Sequence, residues 1–302
     1  MDKQIPNFLL ERLNKQYGEE ITNQIIEGYS KKRPVTLRVN TLKTSVESIK
    51  SKLKEAGINF EEVEWSKEAL IINNTREDDI RELDIYKNGE IYLQSLSSML
   101  PPIFLEPKKG ETILDMAAAP GGKTTQIAAI SNNEASITAC EMNKIRAEKL
   151  KYNIEKQGAT CVYTMVADAR NLDNFFSFDK ILLDAPCSGS GTIDLDNVDF
   201  ERGFTEKLIN KSIASQKQLL KKALTILKPG KEMVYSTCSI LQEENEEVVK
   251  EIIKKFNAEI VPIDKELLKN VPLLPVKLEG TIAVCPSELY EGFYIAKIRK
   301  NK

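Results

Sequence analysis

Two cysteines in the second half of the chain lie in short motifs of small and polar residues. Cys187 lies in the run DAPCSGSG, which begins at Asp184, and Cys238 lies in the run YSTCS, which begins at Tyr235. A free cysteine is usually buried and inert, but two thiols that each follow a predicted strand suit nucleophilic chemistry better than packing. The chain contains no histidine, which excludes Ser-His and Cys-His mechanisms and histidine-ligated metals. We therefore predict chemistry carried by cysteine, carboxylate, lysine or tyrosine side chains.

A third motif, DMAAAPGGKT, begins at Asp115 and joins a predicted strand to a predicted helix. Its alanines and glycines allow a ligand to approach the backbone, and the N-terminus of the following helix favours negative charge. A nucleotide P-loop needs a glycine five positions before its Gly-Lys pair, and Ala117 occupies that position. The glycine spacing of a dinucleotide-binding turn is absent too. The turn therefore predicts a ligand other than a triphosphate or a pyrophosphate.

Acidic residues follow the next two predicted strands. Glu141 ends the first of them, at a position that faces ribose hydroxyls in Rossmann-like sheets. Asp168 follows the second, where a carboxylate is placed to accept a hydrogen bond from an adenine amino group. Each is weak evidence by itself, because acidic residues often follow strands.

The elements that must position these residues alternate between strand and helix from residue 108 onward. This alternation predicts an α/β fold with a mostly parallel, doubly wound sheet, in which ligands bind at the carboxyl ends of the strands. The strands that precede Cys187 and Cys238 are expected to be neighbours. The predicted strands are residues 112–116, 136–141, 162–166, 180–184, 231–236 and 292–298, and the predicted helices are residues 123–131, 145–157, 206–227 and 243–256.

The first third of the chain follows a different pattern. Residues 5–30 have helical apolar periodicity. Ser45 is placed to cap a helix that Gly57 ends, and three strand-like segments surround that helix, at residues 36–40, 60–65 and 69–72. We predict an N-terminal helical segment (1–30), a small α+β module of β-α-β-β order (31–90) and a catalytic domain (91–302), which opens with a strand at 91–93 and a helix at 95–104.

Composition narrows the class of protein. The chain has 302 residues, of which 41% are hydrophobic and 29% charged, as expected of a globular protein with a buried core. It has neither an apolar run long enough to cross a membrane nor a signal peptide, which predicts a cytoplasmic protein. The five cysteines form no CxxC pair, so disulfides and zinc are not expected. We interpret Cys140, Cys161 and Cys285 as packing residues.

The charge of the chain neither clearly favours nor clearly opposes binding to nucleic acid. The net charge of −2 counts mildly against a nucleic-acid-binding protein. Basic residues nevertheless cluster near the N-terminus at Lys31, Lys32, Arg33, Arg38 and Lys43. A second set lies along a predicted helix, where a solvated helix face is an equally good interpretation; it comprises Lys207, Lys211, Lys217, Lys221 and Lys222.

These motifs resemble those of the NOL1/NOP2/Sun family of RNA cytosine-C5 methyltransferases, whose patterns are close to DxCAAPGGKT, DAPCSGxG and YSTCS. The resemblance extends upstream through VTLRVNT (35–41) and LQSLSSM (93–99), and downstream to EGFYIAK (291–297). It departs at Met116, where the family has a small residue or a thiol. It also departs at residues 281–287, TIAVCPS, which lack the family's usual arginine and histidine.

The resemblance implies a mechanism. Cys238 is then the nucleophile that adds to C6 of the cytosine, which makes C5 nucleophilic, and Cys187 serves the release step. Asp184 is expected to hydrogen-bond N3 and the exocyclic amine, and would need a proton to donate to N3. Lys123 is expected to favour the thiolate form of Cys238.

The resemblance also implies S-adenosylmethionine as the cofactor, on a seven-stranded class I methyltransferase sheet whose last strand is reversed. Glu141 is then the ribose contact and Asp168 the adenine contact, with additional contacts from Arg146 and Asp184. The methionine moiety is assigned to Ala117, Ala118, Ala119, Pro120, Gly121, Gly122 and Lys123. The partner is RNA, either rRNA or tRNA, contacted by the 31–90 module and the basic residues beside it. We expect a monomer, with no metal and no membrane.

Three alternatives remain at this point. A DNA cytosine methyltransferase is expected to use the Pro-Cys cysteine alone, which the additional Thr237-Cys238 motif argues against. A non-catalytic RNA-binding assembly factor with a methyltransferase fold is disfavoured because every expected catalytic residue is present. A nucleotide-binding oxidoreductase is disfavoured by the missing glycine fingerprint.

Overall fold

Two helices begin the fold. The computed structural model describes residues 5–195 and 203–302, so residues 1–4 of the predicted N-terminal segment lie outside the described residues. The segment predicted over residues 5–30 is helical, but it is divided into α1 (Asn7–Tyr17) and α2 (Glu19–Ser30). Gly18, at φ +80°, interrupts it in a conformation that glycine adopts at little steric cost. Apolar periodicity continues across the break, which is why the sequence pattern does not reveal it.

The small module is built on a four-stranded antiparallel sheet. Its strands are β1 (Val35–Val39), β2 (Phe60–Val63), β3 (Ser66–Ile72) and β4 (Ile91–Leu93). Helix α3 (Val46–Glu55) contributes Ile49 and Leu53 to the core beneath them, and Ser45 caps it as predicted, accepting a hydrogen bond from the Ser48 N–H at 3.2 Å. The short helices α4 (Glu77–Glu82) and α5 (Asp84–Lys87) were not predicted. The strand order is β2-β3-β1-β4, so β4, just past the predicted boundary at residue 90, pairs with β1.

The large sheet confirms the predicted doubly wound α/β class. Its strands are β5 (Thr112–Asp115), β6 (Ser136–Glu141), β7 (Val162–Val166), β8 (Phe178–Asp184), β9 (Leu227–Thr237), β10 (Ala258–Ile260), β11 (Leu273–Leu274), β12 (Ile282–Val284) and β13 (Phe293–Lys300). Its helices are α6 (Leu96–Leu105), α7 (Gly122–Ile130), α8 (Lys144–Gln157), α9 (Glu206–Ile226) and α10 (Glu246–Lys255). Strands β5 to β9 pair in parallel, and β13 runs antiparallel to β9, as expected for a reversed last strand.

The strand count differs from the expected seven. Over the described residues the sheet has nine strands, in the order β11-β12-β13-β9-β8-β5-β6-β7 with β10 on β13. The six strands predicted from the sequence pattern all form, whereas β10, β11 and β12, which are three, two and three residues long, were not predicted. Segments this short have no recognisable alternation of apolar and polar residues, so sequence periodicity cannot reveal them.

The sheet topology places the motifs at one edge. Strand β8 lies between β5 and β9, and the register pairs Asp184 at the end of β8 with Ser236 near the end of β9. The segments that carry Cys187 and Cys238 therefore leave neighbouring parallel strands side by side, as predicted. The DMAAAPGGKT turn leaves β5 at the same edge, where ligands bind in doubly wound sheets.

The N-terminal helices belong to the packing of this large unit. Leu9, Leu13 and Tyr17 share a buried core with Ile181 of β8 and Tyr235 of β9. The Tyr17 hydroxyl donates to the Ile240 carbonyl at 2.7 Å, two residues beyond Cys238. Helices α1 and α2 thus support the segment that presents that cysteine. Across the described residues, none of the helices combines the length and the apolar character needed to span a bilayer.

Candidate active site

Cys187 and Cys238 face each other at the ends of β8 and β9. Their Sγ atoms are 3.0 Å apart and both side chains are half-buried. The Gly191 N–H donates to the Cys238 carbonyl at 2.9 Å, which ties the two cysteine segments together. Two thiols at hydrogen-bonding distance form a pair in which one sulfur holds a proton and the other accepts it.

The surroundings of Cys187 favour its protonated form. The hydrogen bond to Cys238, burial and the nearby Glu244 carboxylate together raise the pKa of Cys187 well above its ordinary value. Cys187 is therefore suited to hold a proton, and its sulfur lies at hydrogen-bonding distance from the Cys238 sulfur.

An ion pair lies at the mouth of the sheet beside the thiols. The Lys123 ammonium is 2.7 Å from the Asp184 carboxylate and donates to the Ser98 hydroxyl at 2.7 Å. It also lies 5.5 Å from the centroid of the Phe293 ring. Burial is the largest single influence and would lower the pKa of Lys123, but the charge and hydrogen bond of Asp184 together with the nearby Asp115 and Cys238 outweigh it, and the pKa is raised. The site thus holds a fixed cation beside a fixed carboxylate, whose second oxygen accepts from the Ser236 hydroxyl at 2.7 Å.

Glu244 was not among the predicted site residues, yet its carboxylate joins the two cysteine segments. It accepts hydrogen bonds from the Ser188 N–H at 2.7 Å, from the Ser188 hydroxyl at 2.6 Å and from the Ser239 hydroxyl at 2.6 Å. Each serine directly follows one of the cysteines, so one carboxylate holds both thiols in place.

Sequence reasoning missed Glu244 because of where the helix begins. We predicted a helix over residues 243–256, which places this residue in an acidic first turn. The helix begins instead at Glu246, after a 3-10 turn over Gln242–Glu244 that directs the Glu244 side chain inward. Burial raises its pKa against the opposing effect of the two serines. Ser98 and Phe293 were also missed as site residues, although both lie in segments that carry the resemblance.

The DMAAAPGGKT turn connects β5 to α7 and lines a cavity. Asp115 at the end of β5 accepts from the Thr124 hydroxyl at 2.7 Å, and burial raises its pKa to about 6. Arg146 donates to the Ala119 carbonyl at 2.7 Å and fixes the turn from α8. The cavity has a volume of about 770 Å³ and contacts the turn residues together with Lys123 and Asp184.

Glu141 and Asp168 follow their strands as predicted, but their surroundings differ. Glu141 is 3% exposed; it accepts from the Asn143 N–H at 2.8 Å and lies 3.4 Å from the Arg146 guanidinium. Asp168 is partly exposed and both of its oxygens accept from Arg170, at 2.9 Å and 2.6 Å. The Arg170 hydrogen bonds lower the pKa of Asp168. Carboxylates therefore stand at or just beyond the ends of β5, β6, β7 and β8.

The basic residues near the N-terminus do not form one surface. Arg38 is 3% exposed and donates to the Gln94 side chain and the Thr125 hydroxyl, each at 3.1 Å. The prediction that it belongs to an RNA-facing cluster is wrong: it joins β1 to α7, and burial lowers its pKa to about 10. Lys43 donates to two backbone carbonyls, at 2.8 Å and 2.6 Å. In the second set, Lys217 pairs with Glu251 at 2.5 Å.

We expect Arg38→Met to destabilise the protein by about 2–3 kcal/mol, because it removes two buried charge-assisted hydrogen bonds and leaves Gln94 and Thr125 short of a donor. Equilibrium urea unfolding measures the change. Lys32→Met, at an exposed position in the same segment, is the matched control and should stay within about 0.5 kcal/mol of the unaltered protein. Equal unfolding midpoints for the two variants would show that the contacts of Arg38 between the small module and α7 do not stabilise the fold.

Comparison with known proteins matches this chain to RNA methyltransferases. The family described as 16S rRNA methyltransferase RsmB/F matches residues 102–299, and the ferredoxin-like domain of RsmF/B-like methyltransferases matches residues 5–77. The tRNA (cytosine(49)-C(5))-methyltransferase of Pyrococcus abyssi is 36% identical, over 95% of this chain and 99% of its own length. The ribosomal RNA small subunit methyltransferase F of Aeromonas salmonicida is 36% identical, over 89% of this chain but only 59% of its own length. The crystal structure of NSun6 from Pyrococcus horikoshii with SFG has a TM-score of 0.86 and 26% identity, and the match covers 98% of each chain.

Proposed function

The chain belongs to the RsmB/F methyltransferase family, within the NOL1/NOP2/Sun group of RNA cytosine-C5 methyltransferases, and from this we propose that it transfers a methyl group from S-adenosylmethionine to C5 of a cytosine in rRNA or tRNA. The observation that carries the proposal is the pair of thiols 3.0 Å apart beside the Lys123–Asp184 ion pair. A cysteine nucleophile, a proton-holding partner and a fixed cation and anion are what addition to a pyrimidine ring requires.

The carboxylates at the sheet edge fit S-adenosylmethionine by their chemistry. The cofactor carries an ammonium, a sulfonium, a ribose diol and an adenine amino group, and each of these is attracted to a carboxylate. Glu141 is then the ribose contact and Asp168 the adenine contact, and the turn from Ala117 to Gly122 holds the methionine moiety. SFG, with which the related NSun6 was crystallised, is an analogue of this cofactor. When bound, S-adenosylmethionine supplies the methyl group for C5.

Cys238 begins the proposed reaction. Its thiolate forms a bond to C6 of the cytosine, and the electron pair displaced from the C5–C6 double bond moves toward N3 and O2. The Lys123 ammonium is placed to stabilise that developing charge. Asp184, paired with Lys123, acts as a carboxylate and accepts from the exocyclic amine. The hydrogen bond to N3 then comes from the Lys123 ammonium, so that Asp184 needs no proton.

Cys187 serves the release step. Once the Cys238 sulfur is bonded to C6 it is no longer a hydrogen-bond partner of Cys187, so the largest of the causes that raise the pKa of Cys187 is removed, while burial and Glu244 still act on it. Cys187 then gives its proton to solvent, and the resulting thiolate takes the proton from C5. The electron pair of the C5–H bond restores the ring double bond and expels Cys238 as a thiolate. Bonds and charges balance, and the enzyme needs no oxidant or reductant.

A methyl-transfer assay tests the proposal. Purified protein is incubated with tritiated S-adenosylmethionine and, separately, with unmodified 16S rRNA and unmodified tRNA, and the product is located by bisulfite sequencing. We expect label on C5 of a defined cytosine in one of the two RNAs. Binding of either RNA without incorporation of label would favour a non-catalytic assembly factor. If a parallel incubation with DNA were the only one to incorporate label, the substrate would be DNA and not RNA.

We expect the protein to bind S-adenosylmethionine in the micromolar range and Glu141→Ala to weaken binding about 10-fold or more, because a buried carboxylate that accepts from ribose hydroxyls is lost. Isothermal titration calorimetry measures the affinity, with ATP and NAD as competing candidate ligands. Glu134→Ala, an exposed carboxylate paired with Lys109 at 2.8 Å, is the matched control and should bind like the unaltered protein. Tighter binding of ATP or NAD would overturn the cofactor assignment.

A further inference from the structure

The cavity that the DMAAAPGGKT turn lines is also lined by residues to which the proposed function gives no role, either with the cofactor or with the target cytosine. Besides Lys123 and Asp184, its lining includes Tyr92. Tyr86 of α5 and Tyr152 and Lys156 of α8 also line it. We call these three residues the aromatic arm. No step of the proposed reaction uses these three residues.

The aromatic arm combines one exposed ring, Tyr152, and one half-buried ring, Tyr86, with cations. The Lys156 ammonium lies 3.6 Å from the centroid of the Tyr86 ring and 5.8 Å from that of Tyr152. The Arg81 guanidinium lies 5.3 Å from the centroid of the Tyr86 ring. Tyr152 is 61% exposed, although a ring of this size is ordinarily covered in large part. A ring that faces solvent beside a cation is the arrangement on which proteins stack nucleic-acid bases.

Charge around the arm favours an anion. Within residues 5–195 and 203–302, neither Lys156 nor Lys149, which also lines the cavity, forms an ion pair with a carboxylate. Two acidic groups close by are already paired: Glu148 with Lys151 at 3.0 Å and Glu77 with Arg81. Burial lowers the pKa of Lys156, and the neighbouring positive charges of Arg81 and Lys43 lower it further. A phosphate would relieve that repulsion.

We propose that the aromatic arm binds an unpaired nucleotide of the RNA next to the target cytosine, with its base on Tyr152 and its phosphate on Lys156. The assignment rests on the proposed function, since it supposes that the cytosine enters at Lys123 and Asp184. An RNA strand whose cytosine reaches Lys123 and Asp184 lies against the same cavity that the aromatic arm lines. An unpaired segment is required, because the bases of an RNA duplex are stacked and cannot reach a side-chain ring.

Two substitutions test the aromatic arm. Tyr152→Leu removes the ring but keeps an apolar side chain, and we expect it to weaken binding of a fluorescein-labelled, mixed-sequence single-stranded RNA about 5-fold or more. Lys156→Ala should weaken binding and reduce the slope of log affinity against log salt concentration by about 0.7, the value for one phosphate contact on a single strand. When the rate of RNA methylation is measured, both substitutions should raise KM for RNA far more than they lower kcat.

The matched controls lie outside the cavity. Tyr163→Leu removes another exposed ring, on β7, and Lys144→Ala removes another exposed lysine of α8. Both should bind RNA like the unaltered protein. If Tyr152→Leu and Lys156→Ala also bind and methylate like the unaltered protein, the aromatic arm is not an RNA site while the proposed function stands. If the unaltered protein neither binds nor methylates RNA, the proposed function itself fails.

Discussion

Cys187→Ala should accumulate a covalent complex between the protein and its RNA. The substitution leaves Cys238 free to add to C6 and leaves the cofactor turn intact, so addition and methyl transfer proceed. It removes the thiol that takes the C5 proton, so elimination of Cys238 stalls. A loss of about 4 kcal/mol in stabilisation of the release step slows it about 10³-fold, within the range of one acid–base group. A band of retarded mobility on a denaturing gel, labelled by tritiated methyl groups, measures the complex.

The reciprocal variants fix the roles of the two thiols. Cys238→Ala should form no covalent complex and no product, and the double substitution should abolish the band because nothing attacks C6. Cys161→Ala, a half-buried cysteine away from the pair, is the matched control and should behave like the unaltered protein. A band from Cys238→Ala, with none from Cys187→Ala, would reverse the two roles and restore the DNA-type mechanism as an alternative.

Asp184→Asn should lower the methylation rate by about 10²- to 10⁴-fold, the range for one acid–base group. Asparagine keeps the size of the side chain but removes the charge that holds the Lys123 ammonium at 2.7 Å. Lys123 is left as a buried ammonium without its counter-ion, so its pKa falls and the cation that stabilises charge on the ring is weakened. Single-turnover kinetics at saturating RNA and cofactor isolate this loss from changes in binding.

A second aspartate on the same strand provides the control. Asp179, near the other end of β8, pairs with Lys228 at 2.9 Å and with Lys231 at 3.3 Å, far from the carboxyl edge. Asp179→Asn should lower the urea midpoint because those lysines lose their partner, but it should leave the rate per folded molecule unchanged. If Asp184→Asn keeps its rate and loses only stability, the ion pair is structural and the proposed stabilisation by Lys123 is wrong.

The local pattern of the sequence determined much of this protein. Each motif that carries candidate catalytic or binding residues follows a strand. The alternation of strands and helices predicted a parallel sheet whose strand ends meet at one edge. The positions of Cys187, Cys238 and Asp184 at that edge followed from this alternation. The reversed final strand was expected from the family resemblance. The Ser45 cap was also predictable, because a cap depends on a residue and the backbone three positions away.

Only the tertiary structure decided which side chains meet. Arg38 lies in a basic stretch and was expected at the surface, yet it is buried by partners 56 and 87 residues away. Glu244 lies in an acidic run typical of a solvated helix, yet it holds serines from two different segments. Periodicity reports the conformation of a few neighbouring residues. The burial of a charge depends instead on whether distant segments bring donors or acceptors to it, because an unpaired charge in the interior costs more free energy than the fold can supply.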